Sequence, residues 1–348
     1  MPLSAHHAQS FSRNMVRVAI IGAGAWGINH VRAFARTKGA QLNLVCDASE
    51  ACRERAHALA PHTRLGKDLH EALAADDVDA VVLATPAKDH AEHARLVLHA
   101  GKHVFVEKPL ALCAADAQAV VALAEARHLT LMVGHLMLYH PAVGRLKTMI
   151  SAGELGRIFY VYSLRVNLGR VRQDENALWS LAPHDVSMIS YLLDDEPESV
   201  SARGGTYLQN NIEDVVFVNL KFHSGVSAQI QVSWLDPRKE RRLTIVGSQK
   251  MVEFDDVHPV EKLRIYDKGV DRPPPFTEYA QFLSIRNGDI HIPQVPMVEP
   301  LEVECRHFVE CVEQGKRPLT DGASALRVVR VLEAAQRSLE SRGAPVDV

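Results

Sequence analysis

Short apolar runs alternate with longer amphipathic segments from Met15 to about Gly134, the rhythm of strands that alternate with helices. The apolar runs are continuous and rich in Val, Ile and Leu, as in strands covered by helices on both faces. These runs are residues 16–21, 42–46, 80–84, 103–106 and 129–133, and the helical segments include 26–37, 51–60, 90–100 and 114–127. Right-handed crossovers between such strands predict a doubly wound, parallel sheet.

The hydrophobic period changes after about Ser151. In residues 216–222 and 226–234, apolar and polar side chains alternate on either side of a His-Ser-Gly turn, which predicts an antiparallel hairpin with one polar face. That polar face is Ser227, Gln229, Gln231 and Ser233. Further strands are predicted at 157–166, 243–246, 251–254 and 262–266. A helix that ends near 190–193 is predicted to precede them. Two helices, at 302–314 and 324–341, are predicted at the end of the chain. The proline-rich stretch 267–300 is predicted to be a long surface excursion.

The α/β fold is therefore predicted to have two domains. Residues 1–14 are expected to be a disordered extension, residues 15–134 a Rossmann domain, and residues 135–348 an α+β domain with a large, open, mostly antiparallel sheet. The C-terminal helices are free to pack back onto the first domain.

Composition and charge narrow the possible partners. The 348 residues are 47% hydrophobic and 23% charged, as in ordinary globular proteins. The 39 Lys and Arg against 42 Asp and Glu leave a net charge of −3, which would not attract nucleic acid or an anionic membrane. No apolar run approaches the roughly 18 residues of a spanning helix, and residues 1–14 lack the apolar core of a secretion signal. We expect a cytoplasmic protein with a small-molecule partner.

Cysteine and histidine spacing gives no sign of a disulfide framework or a metal site. The five cysteines are odd in number and include no Cys-x-x-Cys, so reduced thiols are expected. His90 and His93 have helical spacing without a recognisable third ligand. No metal is expected.

A glycine-rich motif follows the first predicted strand and opens the first helix, where such a motif binds a dinucleotide. Gly22 permits the tight turn, Gly24 lets the backbone approach a pyrophosphate, and Gly27 lets the helix pack closely. The helix N-terminus supplies N–H groups for the phosphates. The candidate cofactor contacts are Gly22, Ala23, Gly24, Ala25, Trp26 and Gly27.

Asp47 ends the second strand, 20 positions beyond Gly27. A carboxylate there accepts hydrogen bonds from the adenosine ribose and repels a 2′-phosphate, so NAD is predicted in preference to NADP. The competing interpretation is that Asp47 is only a turn residue.

Polar residues also follow two later strands, at the edge where such sheets bind ligands. Thr85 and Pro86 follow the strand predicted at 80–84 and precede His90, and Glu107 and Lys108 follow the strand predicted at 103–106, before a proline. We take these five residues as candidate cofactor contacts. A surface salt bridge is the alternative for the Glu-Lys pair.

These motifs, with Val133-Gly134-His135 and the β-rich second half, resemble the family of glucose–fructose oxidoreductase, inositol dehydrogenase and MocA. The resemblance covers nearly all of the chain after residue 14. Within the family, Tyr139-His140-Pro141, residues 167–170 and residues 178–185 look like the WlbA type of nucleotide-sugar dehydrogenase. Enzymes of that type oxidise the 3-hydroxyl of UDP-N-acetylglucosamine or of its 6-carboxylate.

The resemblance implies Lys108 and His184 as the catalytic pair. Many family members have an Asp-x-Gly-x-His pattern that ends at this histidine, whereas Ser180 and Ala182 stand in the Asp and Gly positions here. Oxidation of a secondary alcohol needs a base for the hydroxyl proton and a cation near the developing alkoxide. We assign the first role to His184 and the second to Lys108, although the sequence also permits the reverse.

Binding of a diphosphate and a uronate needs cationic side chains, and arginine binds such anions through paired donors. Arg165, Arg170 and Arg172 are all near the end of the first strand of the second domain. The candidate substrate contacts are Lys108, Tyr139, Asn167, Arg170, Arg172 and His184, and Trp179 is a candidate to pack against the nicotinamide or the sugar.

The sequence thus predicts an NAD-dependent dehydrogenase of UDP-N-acetylglucosaminuronate in the synthesis of lipopolysaccharide or polysaccharide precursors. Three alternatives stay open: a UDP-N-acetylglucosamine 3-dehydrogenase, an inositol or free-sugar dehydrogenase, and a non-catalytic NAD-binding regulator. The polar sheet face is predicted to form a homo-oligomer, a dimer or a tetramer.

Overall fold

In the computed structural model, which describes residues 15–169, 171–173, 175–271 and 284–348, the first half forms a six-stranded parallel sheet between helices. The strand order is β3-β2-β1-β4-β5-β6, a doubly wound topology as the sequence predicted, with β3 in addition to the five predicted strands. Its elements are β1 (Val16–Ile21), α1 (Gly27–Phe34), β2 (Ala40–Cys46), α2 (Glu50–Leu59), β3 (Arg64–Gly66), α3 (Leu69–Ala74), β4 (Ala80–Leu83), α4 (His90–His99), β5 (His103–Glu107), α5 (Ala114–Arg127) and β6 (Leu131–Gly134).

The central strands explain the apolar runs of the sequence. Every side chain of β4 and β6 is buried, because helices cover both faces of the sheet. Strand β3 and helix α3 were not predicted: the strand has only three residues, two of them exposed, and so carries no hydrophobic period. The Asp68 side chain caps α3 by accepting hydrogen bonds from the amides of His70 and Glu71.

The second half forms a nine-stranded sheet in the order β14-β13-β12-β11-β7-β10-β9-β8-β15. Strands β7 and β10 are parallel, whereas the other neighbouring pairs are antiparallel. Its elements, with the helices between them, are α6 (Pro141–Ser151), β7 (Ile158–Val166), α7 (Ala177–Leu193), β8 (Pro197–Gly205), β9 (Val215–Phe222), β10 (Ser227–Ser233), β11 (Glu240–Gly247), β12 (Met251–Asp255), β13 (Leu263–Asp271), β14 (Ser284–His291), α8 (Pro300–Gln314), α9 (Gly322–Glu340) and β15 (Val346–Asp347).

Two predictions for this half need correction. The stretch 267–300 is not only a surface excursion, because β13 continues to Asp271 and pairs with β14 over Ser284–His291. The exposed isoleucines of β14 concealed its strand pattern. Ser233 is not an exposed member of the polar face: it is 2% exposed, and its hydroxyl oxygen accepts a hydrogen bond from the amide of Leu235. Helix α6 and strands β8 and β15 were also not predicted.

The last two helices pack against the first half. Helix α8 contacts α1, and its Phe308 ring lies 5.5 Å from the Phe105 ring of β5, centroid to centroid. Helix α9 packs on α5 and α7. Ahead of α9, the carbonyl of Thr320 accepts a hydrogen bond from the amide of Val133 in β6, at 2.8 Å. The parallel sheet is therefore covered by the end of the chain.

Candidate active site

The glycine turn between β1 and α1 has the shape that a bound pyrophosphate needs. Gly22 has φ +89°, and a Cβ there would lie 2.7 Å from the carbonyl oxygen of Ala84. At Gly27 a Cβ would come within 1.9 Å of the Gly22 carbonyl oxygen, so α1 packs directly on the turn. At Gly24, in contrast, a Cβ would meet no atom within 4 Å. The open side of the turn is thus at Gly24, where the backbone is accessible to a ligand.

Asp47 lies next to this turn. One carboxylate oxygen accepts a hydrogen bond from the amide of Ala23 at 2.7 Å, and the other accepts one from the amide of Ser49 at 2.8 Å. These two bonds hold the carboxylate at the end of β2, beside the first helix. The observed position is the one that a ribose-binding acid occupies in dinucleotide-binding folds.

Glu107, at the end of β5, is bound by two side chains of the turn and helix α1. One of its oxygens accepts hydrogen bonds from the Trp26 indole and from His30, both at 2.6 Å. Burial alone would raise the pKa of Glu107, but His30, Trp26 and the charge of Lys108 hold that pKa below its usual value. Glu107 is therefore ionised next to the exposed Trp26 ring.

A second buried acid lies near Glu107. Glu304 of α8 is fully buried, and neither carboxylate oxygen has a hydrogen-bond partner in the described part of the chain. Burial and the charge of Glu107 raise the pKa of Glu304 well above its usual value. Glu304 is consequently protonated where Glu107 is ionised.

Lys108 connects the two halves of the protein. It follows β5 directly, its peptide bond to Pro109 is cis, and its ammonium donates a hydrogen bond to the Ser180 carbonyl of α7 at 2.9 Å. Pro183 lies inside α7, where it has no N–H for the carbonyl of Trp179 one turn earlier.

Several charges act on the Lys108 ammonium. Burial lowers its pKa, the carboxylates of Glu175 and Glu107 counteract that shift, and Arg172 and Arg165 add to it. The net pKa lies below that of an ordinary lysine. The ammonium therefore gives up its proton more readily than a surface lysine does.

His184 lies on α7, one turn beyond Ser180. Its Nδ1 atom is buried and has no hydrogen-bond partner in the described residues, whereas the ring as a whole is partly exposed. Burial and the positive charges of Arg165 and Lys108 lower the pKa of His184 well below 6.5. The imidazole is therefore neutral at physiological pH and able to accept a proton.

A buried ion pair fixes the helix at this point. Asp185 accepts hydrogen bonds from Arg165 at 2.6 Å and from the Ser163 hydroxyl at 2.5 Å, and the arginine and the aspartate are both at most 5% exposed. Because Ser163 and Arg165 belong to β7, the pair joins the large sheet to α7 next to His184. Arg165 thus lies within the strand and binds Asp185, whereas the sequence had grouped it with possible anion-binding residues.

Other predicted residues lie in varied positions. His90 is 1% exposed, and its ring nitrogens lie 2.7 Å and 2.9 Å from the carbonyl oxygens of Pro109 and Thr85, so it joins the two strand-end loops. The Thr85 hydroxyl lies 3.3 Å from His93, and Pro86 is exposed.

The predicted substrate contacts are not all brought together. Tyr139 is 7% exposed, and its hydroxyl is 2.9 Å from the Thr320 hydroxyl, which places it in the interior. Asn167 directly follows β7 and is partly exposed, and Arg172 forms an ion pair with Glu175 at 3.0 Å. Arg170 lies outside the described residues. The structure therefore gives no support for a Tyr139 contact with substrate.

Trp179 borders an open cavity of about 550 Å³ between α7 and α9. The wall of this cavity is mainly acidic: it includes Glu175, Glu333 and Glu340 against one arginine, Arg337. Trp179 itself is 8% exposed. Glu175 of this wall also acts on Lys108, where its charge counteracts the lowering of the lysine pKa.

Two groups near Lys108 were not among the predicted site residues. His135 is fully buried beside it, and Glu175 acts on its charge. The Val-Gly-His run at a strand end was the available signal for His135, but a single histidine in a sequence does not identify a binding or catalytic role. Glu175 could not be found, because only the fold brings the start of α7 to the end of β5.

Two further findings concern metals and membranes. Within the described ranges, His, Cys, Asp and Glu side chains form no group of three or more that could hold a metal ion. No helix of that part of the chain is long and apolar enough to cross a membrane.

Comparison with known proteins defines the class. Residues 16–135 match the model described as "Oxidoreductase family, NAD-binding Rossmann fold", and residues 143–253 match the "GFO/IDH/MocA C-terminal domain". The protein is an NAD-dependent dehydrogenase, and the open glycine turn and the adjacent Asp47 fit that cofactor. The chain belongs to the GFO/IDH/MocA oxidoreductase family.

Three similar proteins illustrate the range of the family. A putative oxidoreductase from Magnetospirillum magnetotacticum MS-1 is 32% identical, with a TM-score of 0.79 over 92% of this chain and 99% of that one. The 4-carboxy-2-hydroxymuconate-6-semialdehyde dehydrogenase of Sphingobium is 28% identical over 94% of this chain and 100% of its own length. The UDP-N-acetylglucosamine 3-dehydrogenase of Acidithiobacillus ferrooxidans is 25% identical over 88% of this chain and 93% of its own.

Proposed function

We propose that this enzyme oxidises the 3-hydroxyl of a UDP-N-acetylhexosamine to the 3-keto sugar. UDP-N-acetylglucosaminuronate is the first substrate to test and UDP-N-acetylglucosamine the second. The observation that supports the proposal is that Lys108, directly after β5, donates a hydrogen bond to the Ser180 carbonyl of α7, one turn before His184, and lowers the pKa of His184. The similarity to a UDP-N-acetylglucosamine 3-dehydrogenase supports the substrate class. We place the reaction in the cytoplasm, in the synthesis of lipopolysaccharide or polysaccharide precursors.

The residues that would hold NAD are those at the strand ends of the parallel sheet. Backbone groups of residues 22–27 would bind the diphosphate, and Asp47 the adenosine ribose. Thr85, Pro86 and Glu107 line the edge that leads to Lys108, and His90 supports the loops on which they lie. Bound NAD supplies the acceptor for the hydride that leaves the substrate carbon.

His184 and Lys108 then have separate tasks. The neutral imidazole of His184 takes the proton of the substrate hydroxyl. The ammonium of Lys108 donates a hydrogen bond to the same oxygen and stabilises the negative charge that develops there. Asp185, held by Arg165, keeps the helix segment with His184 in place. Carbonyl formation at the substrate carbon completes the oxidation.

The remaining proposed contacts concern the rest of the substrate. Asn167 and Arg172 lie on the segment between β7 and α7, and Arg170, outside the described residues, belongs to the same segment. Arginine donors suit a diphosphate. We propose that Trp179 packs against the sugar or the nicotinamide.

A free polyol such as an inositol is the second candidate, and one observation favours it. Arg165 and Arg172 are each paired with a carboxylate, and the cavity beside Trp179 is lined by three glutamates. Such a surface attracts a neutral or cationic ligand more than a diphosphate. The two candidates therefore predict opposite responses to UDP.

Thermal unfolding with and without UDP separates the candidates, because a ligand that binds only the folded state raises Tm. A UDP-sugar enzyme should be stabilised by millimolar UDP, and NADH should form in a single turnover with the UDP-sugar. Stabilisation by myo-inositol without any by UDP, together with NADH formation from inositol alone, would refute the proposed substrate.

We also propose that the outer face of the nine-stranded sheet binds a second copy of the chain. Gln229 and Gln231 of β10 lie on this face, as does a pair of stacked tyrosines, Tyr160 and Tyr162, both more than two-fifths exposed. Aromatic side chains among polar ones are characteristic of protein interfaces. Two-fold symmetric pairing would cover the same patch on both copies.

A further inference from the structure

His135 is the first residue after β6 and lies beside Lys108 at one edge of the parallel sheet. The register pairs Glu107, the last residue of β5, with Gly134, the last residue of β6. Lys108 and His135 therefore leave neighbouring strands side by side. Gly134 keeps the strand ends close, because a Cβ there would lie 3.0 Å from a carboxylate oxygen of Glu107.

The imidazole of His135 is buried without a hydrogen-bond partner. It is 2% exposed, and neither ring nitrogen is bonded anywhere in the described chain. Two other buried histidines are bonded: His30 binds Glu107, and His90 contacts two backbone carbonyls. Buried polar groups nearly always have partners. An unpartnered pair of ring nitrogens at a ligand-binding edge thus indicates a group that arrives with the ligand.

The protonation state of His135 determines which kind of ligand group it can bind. Burial and the positive charge of Lys108 lower the pKa of His135 to about 4, so the ring is neutral at physiological pH. A neutral imidazole has one N–H donor and one acceptor nitrogen. Phosphate and carboxylate oxygens have no proton to donate, whereas a hydroxyl donates and accepts and therefore matches either nitrogen. A hydroxyl is the better fit.

We propose that His135 binds the substrate hydroxyl next to the one that is oxidised, so that the enzyme requires a vicinal diol. The inference rests on the proposed function, in which Lys108 and His184 hold the reacting hydroxyl. Lys108 follows β5 next to His135 after β6, and its ammonium binds the Ser180 carbonyl one turn before His184, so the three residues lie at the same edge of the sheet. The hydroxyl oxygen on the ring carbon next to the reacting carbon would then lie at His135.

The test compares a substrate with its deoxy analogue in wild type and in two variants. UDP-N-acetylglucosamine and its 4-deoxy analogue form one pair, and myo-inositol and a monodeoxyinositol form the other. In wild type the deoxy compound should lose about 10- to 100-fold in kcat/KM, the usual effect of leaving one buried polar group unpaired. His135→Phe should abolish this discrimination. His135→Asn, whose amide has a donor and an acceptor, should retain part of it.

A binding measurement gives a second readout. Calorimetric titration of the NADH-loaded enzyme measures sugar affinity without turnover: His135→Phe should weaken binding of the hydroxylated sugar and leave that of its deoxy analogue and of NADH unchanged. His140→Asn is the matched control, because His140 is buried and caps α6 through the amide of Ala142, a role that Asn also fills. The control should discriminate like wild type.

The outcomes separate the two proposals. Wild type that oxidises only the inositol pair refutes the UDP-sugar substrate and still tests His135. Equal rates for a substrate and its deoxy analogue in wild type, or undiminished discrimination in His135→Phe, would overturn the role of His135. A loss of NADH affinity equal to the loss of sugar affinity would assign the residue to the cofactor instead. Turnover of neither pair by folded wild type refutes both proposals.

Discussion

Replacement of Lys108 by methionine tests the proposed chemistry most directly. The ammonium uses one hydrogen bond on the Ser180 carbonyl, which leaves two of its three donors without a partner among the described residues and available to a substrate oxygen. Methionine has similar length and polarizability but neither charge nor donor. Loss of one preorganised stabiliser of developing charge costs about 10² to 10³ in turnover. Lys108→Met should show that loss.

Cofactor binding should survive the substitution. The glycine turn and Asp47 belong to β1, α1 and β2 and, among the described residues, form no hydrogen bond with the Lys108 side chain, so the Kd for NAD should change little. Rapid mixing with saturating NAD and UDP-N-acetylglucosaminuronate, followed by NADH absorbance, measures the single turnover. Fluorescence titration with NADH measures cofactor binding on the same preparation.

The companion variant and a control complete the experiment. His184→Asn should lose a similar factor and recover part of it at high pH, because hydroxide can replace a missing base. The double variant should lose less than the product of the two factors. Lys102→Met is the matched control: this lysine is buried before β5 and binds the carbonyls of Ala75 and Val78, away from the site. A wild-type rate in either single variant of the pair would show that the chemistry lies elsewhere.

Four further predictions follow from the geometry. Asp47→Ala should relax a strong preference for NAD over NADP, and equal Kd values for the two cofactors in wild type would contradict our assignment of Asp47. In the pH profile of kcat/KM, the loss of activity on the acid side should begin only below pH 6.5, because burial lowers the pKa of His184. The loss on the alkaline side should begin before pH 10.5 is reached, because the pKa of Lys108 is also lowered. An acid limb above pH 6.5 would exclude His184 as the base. Because its pKa is raised, Glu304 contributes most to stability below pH 4.5. In urea titrations, the unfolding free energy of wild type relative to Glu304→Gln should decrease by about 1.4 kcal/mol per pH unit above pH 4.5. Parallel curves of unfolding free energy against pH for the two proteins would contradict a buried, protonated Glu304. Sedimentation should show a dimer or tetramer at micromolar concentration that Tyr160→Lys weakens, and a wild-type monomer would refute the interface.

The sequence predicted the parallel sheet and its glycine turn because both are local. The turn follows a strand that is apolar at every residue except Arg17, and Gly22 and Gly27 each have a steric reason to be glycine. Asp47 was predictable for the same reason, since it stands at a fixed distance along the chain. The doubly wound topology of the five predicted strands then followed from the handedness of the crossovers.

The contacts of individual polar and charged side chains could not be predicted from the local sequence. Arg165 and Asp185 are 20 positions apart, and only the packing of α7 on β7 makes them a buried pair. Tyr139 was selected by its motif, yet its partner Thr320 is 181 positions away. In both cases the residue type was compatible with substrate binding, and a distant residue determined its actual contact.

The cover that α8 and α9 place over the parallel sheet has a consequence for the order of folding. Phe308, Cys305 and Leu301 of α8 complete an apolar cluster with Phe34 and Phe105, and Thr320 closes the free edge of β6. A nascent chain that has released only residues 15–134 from the ribosome would therefore expose part of this cluster and one strand edge to water and to other chains. The half that binds NAD reaches its final packing only when residues 301–348 have emerged, which gives a chaperone a defined interval in which to act. Prematurely ended chains would lack this cover and be open to degradation, although every residue of the glycine turn is present in them.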